Sequence, residues 1–111
     1  GTKHATFEVG EGVLRIHGGL YGRSLYAFEL DLDAARRVDL TQETQLRPTM
    51  RTNGVAMPGL QSGWFRLADK RKALLFVTDK RQVVYVPTHK GFVLLMSVAE
   101  PERFLEKLRA L

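Results

Sequence analysis

The sequence predicts a mainly β domain: a strongly bent antiparallel sheet sandwich, or partly open barrel, of seven or eight strands with one C-terminal α-helix. Three observations carry this. Short alternating or wholly apolar runs recur along the chain, separated by charged or glycine-containing turns. The one clear stretch of helical periodicity lies at the C-terminal end. At 111 residues, 44% hydrophobic and 26% charged, the chain can build one core without a staple, and 1–111 is read as a single domain.

The elements follow in order. Thr6–Val9 and Val13–Ile16 alternate and flank Gly10-Glu11-Gly12, a tight hairpin turn by composition. Gly18-Gly19 breaks the second strand, and Ser24–Leu30 resumes an extended pattern with Leu25 and Tyr26 on opposite faces. Ala34–Leu40 mixes helix formers with an alternation of Val38 and Leu40 against Arg37 and Asp39, and is assigned as a strand. Residues 41–60 read as a long irregular loop, with Pro48, Pro58, Gly59 and the turn signal Asn53-Gly54. Trp64–Leu67, Ala73–Val77, Val83–Val86 and Phe92–Met96 are four strands joined as an up-and-down meander. Ala73–Val77 has so little polar relief that both its faces should be buried. The helix starts at Pro101, which suits a first helical position, and Phe104, Leu105, Leu108 and Leu111 form one apolar stripe.

Several chemistries are excluded. With no cysteine there is no disulfide, thiol nucleophile or Cys-ligated zinc. No apolar run approaches the roughly 18 residues that span a bilayer. The chain opens Gly1-Thr2-Lys3-His4 without an initiator Met, so the expectation is a fusion scar at a chosen domain boundary, with natural sequence absent upstream. His4, His17 and His89 lack metal-ligand spacing, and Ser24, Ser62 and Ser97 lack a nucleophile-elbow context. Glu29, Asp31 and Asp33 alternate; as a strand they would share a face, a cation site or, more simply, an acidic edge paired with Arg36 or Arg37. No phosphate-binding glycine loop is present, and neither a cofactor nor a metal is expected.

Leu20-Tyr21-Gly22-Arg23, Arg51-Thr52-Asn53-Gly54, Pro58-Gly59, Gly63-Trp64-Phe65-Arg66-Leu67, Lys72-Ala73-Leu74-Leu75, Thr78-Asp79 and Val84-Tyr85-Val86-Pro87-Thr88 together resemble a family of bacterial pleckstrin-homology (PH)-like domains. The resemblance runs from about Phe7 to Leu108. It implies the PH-like order of strands and closing helix, a bias toward membranes, and no catalytic residue. PH folds at large bind phosphoinositides, peptides or proteins, so the fold alone does not assign a ligand. The basic phosphoinositide motif of eukaryotic first hairpins has no counterpart in Gly10-Glu11-Gly12.

Charge supplies the candidate sites. The net charge is +5; residues 1–55 hold seven basic and seven acidic residues, whereas 56–111 hold ten and five. In a meander, the turns at 69–72 and 88–91 share one end, gathering Lys70, Arg71, Lys72, His89 and Lys90. The turn at 79–81 lies at the other, with Arg47 and Arg51 expected near Lys80 and Arg81. The first group is the candidate contact for an anionic surface; its plain alternative is a set of solubilising hairpin tips. Arg23, Arg51 and Arg66, set within the family-like motifs, are candidates for ligand binding or for anchoring the long loop to Asp39, Glu43 or Asp79. Trp64 is either a groove aromatic or packing beneath the helix.

Two functions of different class follow. The first is a non-enzymatic interaction module at or near a membrane, binding a protein partner or an anionic lipid surface. The second is a small-ligand binder or enzyme using the 47–60 loop with Arg51 or Arg66; a deep pocket there, lined by Arg and Trp64, would favour it. Nucleic acid is not expected, because the aromatics mostly alternate inward and the helix carries mixed charge. An open sheet edge could also pair with a second copy.

Overall fold

The computed structural model describes residues 5–111; His4 and the Gly1 junction lie outside the described residues. The first three strands are β1 (Thr6–Gly10), β2 (Val13–His17) and β3 (Arg23–Tyr26), forming a three-stranded antiparallel sheet. Glu11 and Gly12 both have positive φ (54° and 75°), as a two-residue primed hairpin turn requires. β4 (Arg36–Val38), β5 (Pro48–Met57), β6 (Leu60–Leu67), β7 (Lys72–Val77), β8 (Val83–Pro87) and β9 (Val93–Ser97) make a second sheet in the order β4-β8-β9-β7-β6-β5. Helix α1 spans Pro101–Arg109. The mainly β reading with a terminal helix holds, with nine strands among the described residues and neither sheet closed.

Three local expectations are corrected. Residues 41–60 are not a loop: a 3-10 turn at Thr44–Leu46 leads into the ten-residue β5. β5 is an edge strand, exposed over most of its length, so it needs no apolar alternation and gives no period-2 signal. Its register shifts at Pro48/Met50 and at Arg51/Asn53, which places Asn53-Gly54 inside the strand rather than at a turn. The reversal is Pro58-Gly59, with Gly59 at φ 79°. Second, residues 27–34 hold two 3-10 turns, Ala27–Glu29 and Leu32–Ala34, so Glu29, Asp31 and Asp33 share no strand face.

Third, the second half is not a plain meander. β9 runs parallel to β7 and inserts between β7 and β8. The inner slot suits it, since Leu94, Leu95 and Met96 are all fully buried. Ser97 fastens this crossing. Its hydroxyl accepts from the Thr78 and Asp79 amides (3.0 and 3.1 Å) and donates to the Asp79 carbonyl (3.0 Å).

The inner strands β7, β8 and β9 of the six-stranded sheet are buried on both faces. One face packs Leu74, Phe76, Val84, Val86, Leu94 and Met96 against the small sheet and α1, where Leu105 and Leu108 are buried. Each of those two helix leucines contributes about 2 kcal/mol by apolar burial. The other face packs Phe65, Leu67, Leu75, Val77, Val83 and Leu95 with Val38, Leu40 and Leu46. Residues 39–47 are fastened across that second core. The Leu40 amide donates to Lys80 O (2.8 Å), while Asp69 N and Ala68 N donate to Gln45 O and Arg47 O (3.0 and 2.8 Å). This crossing links edge strand β4 to the opposite edge strand β5.

Candidate functional site

The β6–β7 and β8–β9 turns do come together at one end, because parallel β7 and β9 both begin there. Between them lies an open cleft of about 550 Å³ lined by Arg66, Lys70, Arg71 and Lys72 on one side and Thr88 and Gly91 on the other. Pro87, Phe92 and Val93 supply its apolar lining. Arg66 and Lys72 are cross-strand partners in the β6–β7 register, so their cations share one face. Like charges placed opposite each other are unfavourable unless something separates or uses them.

The cations differ in how they are held. Arg71 is spent locally: Nε and Nη2 donate to Asp69 Oδ2 (2.9 and 2.7 Å), Nη1 donates to the Tyr85 hydroxyl (2.7 Å), and the guanidinium lies 5.5 Å from the Tyr85 ring centroid. Lys90 pairs with Glu29 at 3.0 Å, and the His89 amide donates to Glu29 O. Arg66 donates to the Lys70 carbonyl (3.0 Å), which consumes no charge. Lys72 stands over the Trp64 ring at 4.4 Å, and Arg23 stands over the same ring at 5.0 Å. Trp64 also meets Phe92 edge-on at 5.0 Å. Trp64 thus packs against the core while holding two cations, and so joins Arg23 to Lys72 of the basic turn.

Lys70 carries a further sign. It sits at φ 78°, the left-handed region where glycine is favoured and a side chain costs about 1 kcal/mol. Its amide donates to Leu67 O and the Leu67 amide to Arg71 O, so the turn geometry is fixed around it. Replacing Lys70 by Gly should therefore raise stability by about 1 kcal/mol, roughly 4 °C in Tm, read by thermal denaturation. Binding that depends on its ammonium should weaken in the same variant.

Arg51 stands apart. It is exposed on β5, opposite Phe65, and takes no part in the Trp64 cluster. Arg47, but not Arg51, lines a recess with Lys80. The anchoring role expected of the motif arginines belongs instead to Arg36, whose guanidinium makes two hydrogen bonds to Glu43 (2.8 and 2.6 Å) and lies 5.2 Å from the Tyr85 ring centroid. Arg36 and Arg71 thus flank Tyr85 at the margin of the second core. Two larger recesses, of about 730 and 700 Å³, flank the β5–β6 hairpin, and neither is lined by Trp64, Arg51 or Arg66.

Four carboxyls lie below their ordinary range, each for a local reason. Glu29 is lowered by the Tyr26 amide and then by Lys90. Asp39 is lowered by the hydroxyl and amide of Thr41, and Glu43 mainly by Arg36. Partial burial pushes Asp69 up, but hydrogen bonds from Arg71 more than reverse it. Depressed folded values mean that this stabilisation is present above the ordinary carboxylate range and is lost as pH falls through it. Tm measured against pH should be flat near neutrality and drop below about pH 4.

The sequence did not announce the exposed pair at the end of β3. Tyr26 and Phe28 are 55% and 78% exposed and stack on each other, with centroids 5.5 Å apart and planes 5° apart. The aromatics mostly turn inward, as expected, and these two are the exceptions among the described residues. The 3-10 turn at 27–29 ends the strand pattern early and swings Phe28 outward.

The family model for the bacterial PH domain matches residues 7–111, nearly the whole chain. No curated protein and no solved structure matches. No helix among the described residues is long and apolar enough to cross a membrane. PH-like domains are in general interaction modules rather than enzymes, and are often peripheral to membranes. Matched over that length, and with its open sheets and closing helix, the chain belongs to the bacterial PH domain family.

Proposed function

We propose that this PH-like domain is a non-enzymatic module that docks on an anionic membrane surface through the end built from residues 66–72 and 88–92. The observation that carries the reading is Lys70. A lysine holds a backbone position that favours glycine, at the rim of a cleft it shares with Arg66 and Lys72. A solubilising tip needs charge but does not need it at that cost. Arg66, Lys70 and Lys72 have no carboxylate partner within salt-bridge distance among the described residues. Each such cation near an anionic leaflet contributes about 1 kcal/mol, and salt screens it. The expected contact is weak, reversible and salt-sensitive. Co-sedimentation with neutral and with anionic vesicles, at low and at physiological salt, tests it. Binding should need anionic lipid and fade with salt; equal binding to neutral vesicles, or none to either, contradicts it.

A second reading, contact with a protein strand, is favoured by β5. This edge strand leaves Met50, Val55 and Met57 exposed. Pro48, the two register shifts and Arg51 blunt its first half, so Gly54–Met57 is the stretch open to strand addition by a partner or a second copy. Mass measured in solution against concentration, with Val55→Lys as the control, reads the second-copy form. The small-ligand alternative has less support, since residues 48–57 form a paired strand and do not close over a Trp64-lined pocket.

A further inference from the structure

We infer that Tyr26 and Phe28 form an apolar wedge that enters the interfacial layer of the membrane beside the basic end. This rests on the membrane-docking reading above and adds to it the part of the contact that salt does not screen. The pair is mounted rigidly. The Ala27 amide donates to Gly12 O (2.8 Å) in the first hairpin, and the Leu30 amide closes the 3-10 turn on Ala27 O (3.1 Å). Leu30 bridges to Thr88, and the His89 amide donates to Glu29 O (2.8 Å). The wedge therefore adjoins the 88–91 turn that walls the basic cleft.

Its chemistry fits a bilayer interface. Phe28 offers an apolar ring, and Tyr26 a ring with a polar tip, the combination that settles at headgroup depth. Two stacked exposed rings leave apolar area in water that burial would stabilise. The carboxylate of Glu29, next to Phe28 in the chain, is held by the Tyr26 amide and neutralised by Lys90 at 3.0 Å. Glu11, at the exposed tip of the first hairpin, and Asp31, whose amide donates to Pro87 O (2.9 Å), also lie on this side. With Lys70, Lys72 and Arg66 across the cleft, the surroundings stay basic, which suits an anionic lipid surface. Because the rings are already ordered, insertion costs little conformational entropy.

Phe28→Trp, bound to anionic vesicles containing acyl-chain-brominated lipid, gives the direct readout. The signal added over that of Trp64 should be quenched by bromine. Phe28→Ser and Tyr26→Ser should each weaken vesicle partitioning by roughly tenfold and remove what binding survives at physiological salt, with Tm unchanged because both rings are exposed. Wild-type binding that is unaltered by either serine variant, with no quenching of Phe28→Trp, overturns the wedge and leaves the charge contact standing. No wild-type binding to anionic vesicles at low salt overturns both. A concentration-dependent dimer abolished by Phe28→Ser, without lipid binding at these rings, assigns the pair to self-association and overturns the wedge.

Discussion

Replacing Arg66, Lys70 and Lys72 together by serine should lower affinity for anionic vesicles by about 100-fold at low salt. The figure follows from three cations at about 1 kcal/mol each, with 1.4 kcal/mol to each factor of ten. The difference should shrink as salt rises, because each contact lies at the exposed surface where ions screen it. Among the described residues none of the three side chains carries a salt bridge, and none fills the core, so the triple variant should fold. Arg71 is left out on purpose. It ties Asp69 to Tyr85, and its loss would disturb the turn rather than report on binding. Lys80→Ser/Arg81→Ser, at the opposite end of the sheet, serves as the matched control. A triple variant that binds within threefold of wild type would make these cations ordinary turn residues.

The largest effect on stability is expected from Gly63→Ala. Gly63 sits at φ 112° directly opposite Gly54, and a Cβ there would meet Asn53 O at 2.6 Å, Gly54 Cα at 2.7 Å and Tyr21 Cζ at 3.0 Å. The first two are backbone atoms and cannot swing away. A Cβ on Gly54 would in turn collide with the Ser62 carbonyl. The paired glycines let β5 and β6 cross closely and leave room for Tyr21, whose hydroxyl donates to Asn53 Oδ1 at 2.9 Å. Strain and steric conflict together should cost about 3 kcal/mol or more. Chemical denaturation reads the loss, and amide exchange should show β5 opening before β7 and β9. Tyr21→Phe, which removes one exposed hydrogen bond, should cost about 1 kcal/mol at most.

What could be read in advance depended on which physical signal a segment carried. β7, β8 and β9 are buried on both faces, and their apolar runs announce them. The helix announces itself by its stripe, and Leu105 and Leu108 are buried as its spacing requires. β5 has no such signal: an edge strand pairs through its backbone, and its side chains obey no burial pattern. The parallel insertion of β9 was equally hidden, because composition sets burial while a five-residue connection, Thr78–Gln82, decides which slot a strand takes. The basic end was legible because turn ends depend only on strand direction, which the crossing preserves. What the individual cations do was not legible. Arg71 turns inward to Tyr85, Lys72 covers Trp64, and the anchoring arginine is Arg36, whose partner Glu43 lies beyond a strand end. The exposed Tyr26–Phe28 stack escaped because an alternating reading of Ser24–Leu30 continues past the point where the chain leaves the sheet at Ala27.

Backbone amide shifts followed during titration with anionic bicelles at low salt would test the membrane-docking account most directly, since they locate contact residue by residue. The account predicts changes concentrated in residues 66–72, 87–92 and 26–28, reversed by added salt at the basic positions and persistent at Phe28. Changes centred instead on Lys80 and Arg81, or on Arg103 and Lys107 of α1, or no changes at all, would contradict it.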